Sequence, residues 1–196
     1  MKLLITGGSG FIGQHLTRRF AGDLEFDVYA PREVHMNLTN PTQIDAVVGE
    51  YQPDVVLHLA AKTEVAWSFD DYLNVSNVNY LGTVALAEAN RRLNPNLRLF
   101  VLASTMETYG HQPHGVPFTE ETVQRPAAPA TEPLARTPPP RADLGRLVVC
   151  HTRFGGRASC PPTPNLIYLL WFHSVHLPSI LKAQASVTRL GAWKRT

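Results

Sequence analysis

Residues 2–13 read KLLITGGSGFIG, an apolar run that stops abruptly at glycines. Lys2–Thr6 is short, unbroken and apolar, which predicts a buried strand. Phe11, Ile12, Leu16 and Phe20 then recur at helical spacing, which predicts a helix over 11–20. Between them Gly7, Gly10 and Gly13 stand in a G-x-x-G-x-x-G pattern, in the strand–loop–helix setting that a dinucleotide-binding loop requires. Each glycine has its own physical reason. Gly7 supplies the positive φ of a tight turn. Gly10 has no Cβ to keep a diphosphate from the backbone. Gly13 lets the helix pack closely on the strand, and the helix start offers unpaired N–H groups and partial positive charge to phosphates. A glycine-rich turn without a ligand is the weaker alternative, because strand, loop and helix coincide here.

The alternation continues outward from this stretch. Glu25–Ala30 predicts a second strand ending at Pro31, and Val55–Leu59 (VVLHL) a third. Pro41–Tyr51 predicts a helix, with Thr39 or Asn40 as its cap, Pro41 in the first turn and a stripe of Ile44, Val47 and Val48. Asn74–Arg92 predicts a long helix with Val78, Leu81, Val84, Ala85 and Ala89 on or near one face. Asn94-Pro95-Asn96 breaks it, and Leu97–Ala103 is a fourth strand. Unbroken apolar strands alternating with helices imply an α/β protein with a doubly wound parallel sheet covered on both faces. In that architecture ligands sit at the carboxyl ends of the strands.

Composition divides the chain. Its 196 residues are 44% hydrophobic and 17% charged, enough for a core, and two Cys exclude a disulfide scaffold. The formal net charge of +2 hides a split. Residues 1–125 carry nine Lys/Arg against fourteen Asp/Glu, whereas residues 126–196 carry nine against two, with both Cys and ten of the sixteen Pro. No secretory signal is expected, because the first apolar stretch ends within a few residues. Leu166–Leu181 is interrupted by His173, His176 and Pro178 and is too short for a span, so no membrane partner is expected and the default compartment is the cytoplasm. The tail arginines are dispersed among prolines without aromatic interleaving, which argues against nucleic acid. Cys150, Cys160, His173 and His176 lack the close Cys pair of a zinc finger, so no metal is expected.

The residues after the second strand bear on the cofactor. An acidic residue there would hold a ribose 2′-hydroxyl, and an Arg would accept a 2′-phosphate. Arg32 and Glu33 supply both types, and Arg32 favours NADP over NAD, although either side chain could be solvated surface.

With these pieces in place, the sequence resembles the extended short-chain dehydrogenase/reductase family, the nucleotide-sugar epimerases and dehydratases. The likeness covers about Met1–Pro126 and implies a Rossmann-like domain. TGGSGFIG is similar to the family's cofactor loop. Asn37-Leu38-Thr39-Asn40 resembles its "DLTD" segment, with Asn37 in place of the acid that contacts adenine. His58-Leu59-Ala60-Ala61 matches "HLAA", which lines the cofactor, and Val65 and Ser68 fit the "V-x-x-S" that follows. Asn79 to Thr83 matches "N-x-x-G-T", whose Asn supports the active-site strand. The cofactor-binding set implied is Gly7, Gly10, Phe11, Ile12, Gly13, Arg32, Asn37, Leu38, Leu59, Ala60, Ala61 and Asn79.

Ala103–Gly110 (ASTMETYG) resembles the block that carries the family's catalytic hydroxyl. In that family a Tyr phenolate removes a hydroxyl proton while the cofactor takes a hydride from a sugar carbon. A Lys four residues later lowers the Tyr pKa, and a Ser or Thr hydroxyl bonds the reacting oxygen. By position Thr105 is that hydroxyl. Glu107 resembles the Glu of "T-S-E-x-Y-G" in dehydratases and decarboxylases, an acid or base at the neighbouring carbon. Met106 stands where deoxythymidine-sugar dehydratases carry an Asp, and it cannot donate a proton.

The resemblance then stops. Val116–Glu121 still looks like the family's "P-x-x-E", and Arg125-Pro126 like the "x-P" before its catalytic helix. None of the six tyrosines has Lys four positions later, and Pro138-Pro139-Pro140 excludes a helix where the pair should stand. The expected organisation is an incomplete NAD(P)-binding domain over 1–126 and a non-family, basic, Pro-rich tail over 127–196. The tail is either unstructured, or adds a strand at Leu147–Cys150, or covers sheet with Leu166–Phe172. A truncated or frameshifted family member accounts for this break. Its expected partner is a nucleotide sugar, and the homodimer the family often forms is not expected here.

Overall fold

The computed structural model describes residues 1–63, 69–111, 122–126 and 146–152. Five strands form one sheet: β1 (Lys2–Thr6), β2 (Asp27–Tyr29), β3 (Val55–His58), β4 (Leu99–Thr105) and β5 (Arg146–Thr152). Their order is β2-β1-β3-β4-β5, and every neighbouring pair is parallel. The helices are α1 (Phe11–Ala21), α2 (Pro41–Tyr51), α3 (Tyr72–Ser76) and α4 (Thr83–Leu93). A wide π-helical turn, Asn77–Gly82, joins α3 to α4, and a 3₁₀ turn, Met106–Tyr109, follows β4.

Alternation along the strands divides the core between two faces of the sheet. Leu3, Ile5, Val55, Leu57, Leu99 and Val101 pack with Leu16 and Phe20 of α1. Leu4, Val56, Phe100 and Leu102 pack on the other face with Ile44 and Val48 of α2 and Leu86 and Ala89 of α4. Helices on both faces explain why the strands read as unbroken apolar runs.

Local chemistry fixes the boundaries. Asn40, rather than Thr39, caps α2: its side chain accepts from the N–H groups of Thr42 and Gln43, with Pro41 at the first helical position. β2 is shorter than its apolar pattern predicts, because Asp23 holds the N–H groups of Glu25 and Phe26 in a turn. β4 begins two residues later than predicted, since Leu97 N–H is turned back to the Asn94 carbonyl. It runs on to Thr105. Phe11 does not belong to the buried stripe of α1. It is 84% exposed and edge-on to His15, because nine residues at 100° each set it opposite Phe20.

The predicted single helix over 74–92 is two helices out of phase. The Thr83 hydroxyl donates to the Asn79 carbonyl at 2.7 Å, a side-chain insertion of the kind that opens a helical ladder. The π turn shifts the helix phase, so Leu81 (53% exposed) and Val84 leave the predicted face while Leu86 is buried. Gly82 permits close packing there, since a Cβ would lie 2.8 Å from Leu38 Cβ.

β5 lies within the basic segment. The strand expected at Leu147–Cys150 is present and extends over Arg146–Thr152. The sheet therefore reaches beyond residue 126. Val65, Ser68, Val116–Glu121, Pro138–Pro140, Cys160 and Leu166–Leu181, with His173 and His176, lie outside the described residues.

Candidate dinucleotide site

A cavity of about 270 Å³ opens at the carboxyl ends of β1 and β3. Thr6, Gly7, Ser9 and Gly10 form one wall, Leu59–Lys62 another, and Pro31, Glu33, Met36, Asn37, Leu38 and Val78 complete it. Parallel strands feeding loops into this edge are the reason a ligand site belongs here.

Gly7 meets the geometric demand placed on it. Gly7 has φ +70°, and a Cβ on it would lie 2.7 Å from the Ala60 nitrogen. Gly10 N–H bonds the Gly7 carbonyl at 3.0 Å, and Gln14 Nε2 holds the Ser9 carbonyl at 2.7 Å. Gly13 packs against the loop rather than the strand: its Cβ would lie 2.7 Å from Gly8 Cα. Gly10 starts α1 with no side-chain cap, so the first turn keeps the N–H donors that a helix start leaves over. These features suit a diphosphate, which brings acceptors and needs close backbone approach.

The segment after β3 is held from beneath. Leu59 N–H donates to the Thr6 carbonyl at 3.2 Å, and Ala60 N–H to Thr6 Oγ1 at 3.3 Å. Asn79 accepts from Lys62 N–H at 2.8 Å and donates to the Lys62 carbonyl at 2.9 Å. His58 is buried, with Nδ1 2.5 Å from Thr6 Oγ1 and Nε2 2.9 Å from Thr83 Oγ1. Burial lowers its pKa to about 4, so the ring is neutral at physiological pH.

Seven of the predicted cofactor residues line this cavity: Gly7, Gly10, Asn37, Leu38, Leu59, Ala60 and Ala61. Asn37 Oδ1 accepts from the N–H and the hydroxyl of Thr39, which folds the segment into a tight turn at the wall. Phe11, Ile12, Gly13, Arg32 and Asn79 are not among the lining residues. Asn79 is 1% exposed and grips backbone instead. Arg32 is exposed, and its neighbour Glu33 stands on the wall. Thr105 ends β4 half-buried, its carbonyl accepting from Thr108 Oγ1 at 2.8 Å, and is not among the lining residues; the backbone of Glu107 lies in the following 3₁₀ turn. Gly110, at φ +70°, lets the Arg125 carbonyl approach where a Cβ would stand.

Thr6, Ser9, Pro31, Met36, Lys62 and Val78 join the wall without having been proposed from sequence as cofactor residues, and Glu33, weighed there beside Arg32, joins it too. Most lie immediately beside a predicted residue, and that adjacency was the available signal. Among the described residues no helix is long and apolar enough to cross a membrane, and no cluster of His, Cys, Asp or Glu could hold a metal.

A sequence model described as the NAD dependent epimerase/dehydratase family matches residues 3–137, past Pro126 where the motif blocks stop. The dTDP-glucose 4,6-dehydratase of Salmonella typhimurium is 32% identical over 166 residues, covering 66% of this chain and 46% of that protein. The GDP-6-deoxy-D-talose 4-dehydrogenase of Aggregatibacter actinomycetemcomitans is 38% identical over 113 residues, covering 57% and 38%. The chain thus spans less than half the length of these curated relatives. Among solved structures, the Thermus thermophilus UDP-glucose 4-epimerase in complex with NAD is similar with a TM-score of 0.63. It is 28% identical and covers 77% of this chain and 54% of its own.

Proposed function

Because the chain belongs to the NAD-dependent epimerase/dehydratase family, we propose that its first 126 residues, with the added strand Arg146–Thr152, form a dinucleotide-binding unit for NAD or NADP. The unit derives from enzymes that act on nucleotide sugars. One observation carries this reading: Gly7 turns at φ +70° against Ala60, beside the uncapped start of α1, at the carboxyl edge of a parallel sheet. The relatives' activities on dTDP-, GDP- and UDP-linked sugars support the substrate class.

When bound, the cofactor would supply hydride acceptance and donation at a sugar carbon. This chain's own residues would cradle its diphosphate at Gly7–Gly10 and its adenosine end near Asn37, Leu38 and Glu33. Leu59–Lys62 would close the opposite wall. Thr105 would hydrogen-bond the reacting oxygen, and Glu107 would serve the neighbouring carbon. No side chain in the sequence meets the remaining demand, a Tyr with Lys four residues on. Proton removal therefore lacks its base, and the loss lowers turnover by orders of magnitude.

That same absence favours a second reading, a module that binds dinucleotide without turning over sugar. Titrating the protein with NADH and NADPH by nicotinamide fluorescence, then adding nucleotide sugars and following absorbance, distinguishes these outcomes. Binding with trace turnover supports the impaired enzyme, and binding with none supports the module. Robust turnover would refute the assignment of a missing base, and failure to bind either cofactor would refute both readings.

A further inference from the structure

His58 is a polar ring in the apolar strand run Val55–Leu59, 1% exposed and absent from the cavity wall. An apolar side chain would pack there without needing partners, and an unpaired imidazole would be costly. The ring is accommodated by two hydrogen bonds, and their direction can be deduced. Thr83 has one hydroxyl proton, and it goes to the Asn79 carbonyl, which can only accept. Thr83 Oγ1 must then accept from His58, so Nε2 carries the ring proton. Nδ1 is left bare and accepts from the Thr6 hydroxyl. The Thr6 oxygen in turn accepts from Ala60 N–H.

The result is one directed chain from Ala60 N–H through Thr6, His58 and Thr83 to the Asn79 carbonyl. Its ends grip the same piece of wall. Ala60 lines the cavity, and the Asn79 side chain holds both the N–H and the carbonyl of Lys62. A doubly protonated ring would reverse the Thr6 bond and leave the Thr6 proton without this acceptor.

Resting on the dinucleotide reading of the cavity, we propose that His58 is a positioning residue of that site: as a single tautomer held between Thr6 and Thr83, it ties the glycine loop, the Leu59–Lys62 wall and the π turn into one rigid cradle. Dinucleotide affinity then depends on a ring that does not line the cavity.

The test uses the full chain, labelled with ¹⁵N. Three quantities are read at neutral pH: the ring ¹⁵N shifts of His58, amide hydrogen exchange at Ala60 and Lys62, and NADH affinity by fluorescence. Thr83→Val keeps the side-chain shape and removes the hydroxyl, and Thr83→Ser restores the hydroxyl. The expected result is a bare Nδ1 and protonated Nε2 in the unmodified protein. Thr83→Val should weaken NADH binding about tenfold and speed exchange at Lys62 by a similar factor, with Thr83→Ser within about twofold of the parent. A ring protonated at Nδ1, or Thr83→Val with unchanged exchange and affinity, would overturn the proposal. Should the parent bind no dinucleotide, the reading of the cavity fails by itself. The His58 linkage is then decided by exchange: faster exchange in Thr83→Val upholds it, and unchanged exchange removes it.

Discussion

The carbonyl oxygen of Gly7 occupies the place that a β-carbon on Gly13 would need. Loop and helix are therefore fitted to each other through bare backbone. Gly13→Ala should cost about 1–3 kcal/mol of stability, the usual range for overpacking. Gly49 is a control in the opposite direction. It is exposed in α2, and the nearest atom to its Cβ position is 4.0 Å away, so Gly49→Ala should stabilise by about 0.5–1 kcal/mol. Urea unfolding of the two variants checks both signs.

Asn79 spends both ends of its amide on Lys62. Asn79→Ala removes the acceptor and the donor that hold the Lys62 backbone, with an expected loss of about 1–3 kcal/mol. Asn79→Asp should not rescue, because it keeps the acceptor, loses the donor and buries a charge. Chemical denaturation reads the stability, and NADH titration should show weaker binding in both variants.

Burial lowers His58 from 6.5 to about 4. Between these values the unfolded chain binds the proton and the folded one does not, so the unfolded state gains as pH falls. Stability is full above about pH 6.5 and declines toward pH 4, with a total loss on the order of 3 kcal/mol from this residue. Its hydrogen-bond partners Thr6 and Thr83 are uncharged, and Phe100 lies 6.1 Å away edge-on, so no neighbouring charge in these contacts offsets the effect. Unfolding curves at pH 7 and pH 5 should diverge for the parent and converge for His58→Asn.

Cofactor choice should follow the cavity wall. Glu33 stands on it and Arg32 does not. A carboxylate there accepts from a ribose 2′-hydroxyl and repels a 2′-phosphate. Glu33→Gln should therefore raise NADPH affinity relative to NADH by about tenfold, a typical effect of one near-surface charge. Arg32→Ala should leave the ratio nearly unchanged. A selective loss of NADPH binding in Arg32→Ala would instead support the preference for NADP that Arg32 suggests from sequence.

The fold was legible where a single period rules. The apolar runs of β1 and β3, the stripe Ile44, Val47 and Val48, and the Asn40–Pro41 helix start stand where their spacing predicts, and β4 is displaced by only two residues. The glycine loop was equally legible, since φ +70° at Gly7 follows from residue type and context. What escaped depends on events between segments. The phase slip at Asn77–Gly82 coincides with the Thr83 hydroxyl bonding the Asn79 carbonyl, and no count of apolar residues carries that information. Arg32 and Glu33 are adjacent, so which one reaches the wall is decided by the turn from Arg32 to Met36, whose carbonyl and N–H join at 3.1 Å. The roles of His58 and Thr83 required knowing that two strands and a helix end meet at one ring.

The all-parallel sheet sets conditions on how the chain acquires its structure. Lys2 pairs with Asp27, Leu3 with Val55, Val55 with Leu99, and Leu99 with Arg146. None of these pairs is bridged by a hairpin, so each requires tens of residues to close into a loop before it is rewarded. Such nonlocal closure makes folding slow. β4 completes its pairing only after Arg146–Thr152 has left the ribosome, some forty residues behind it. Until then its outer edge is a row of unsatisfied backbone groups, and that interval is when a nascent chain is most open to pairing with the wrong partner.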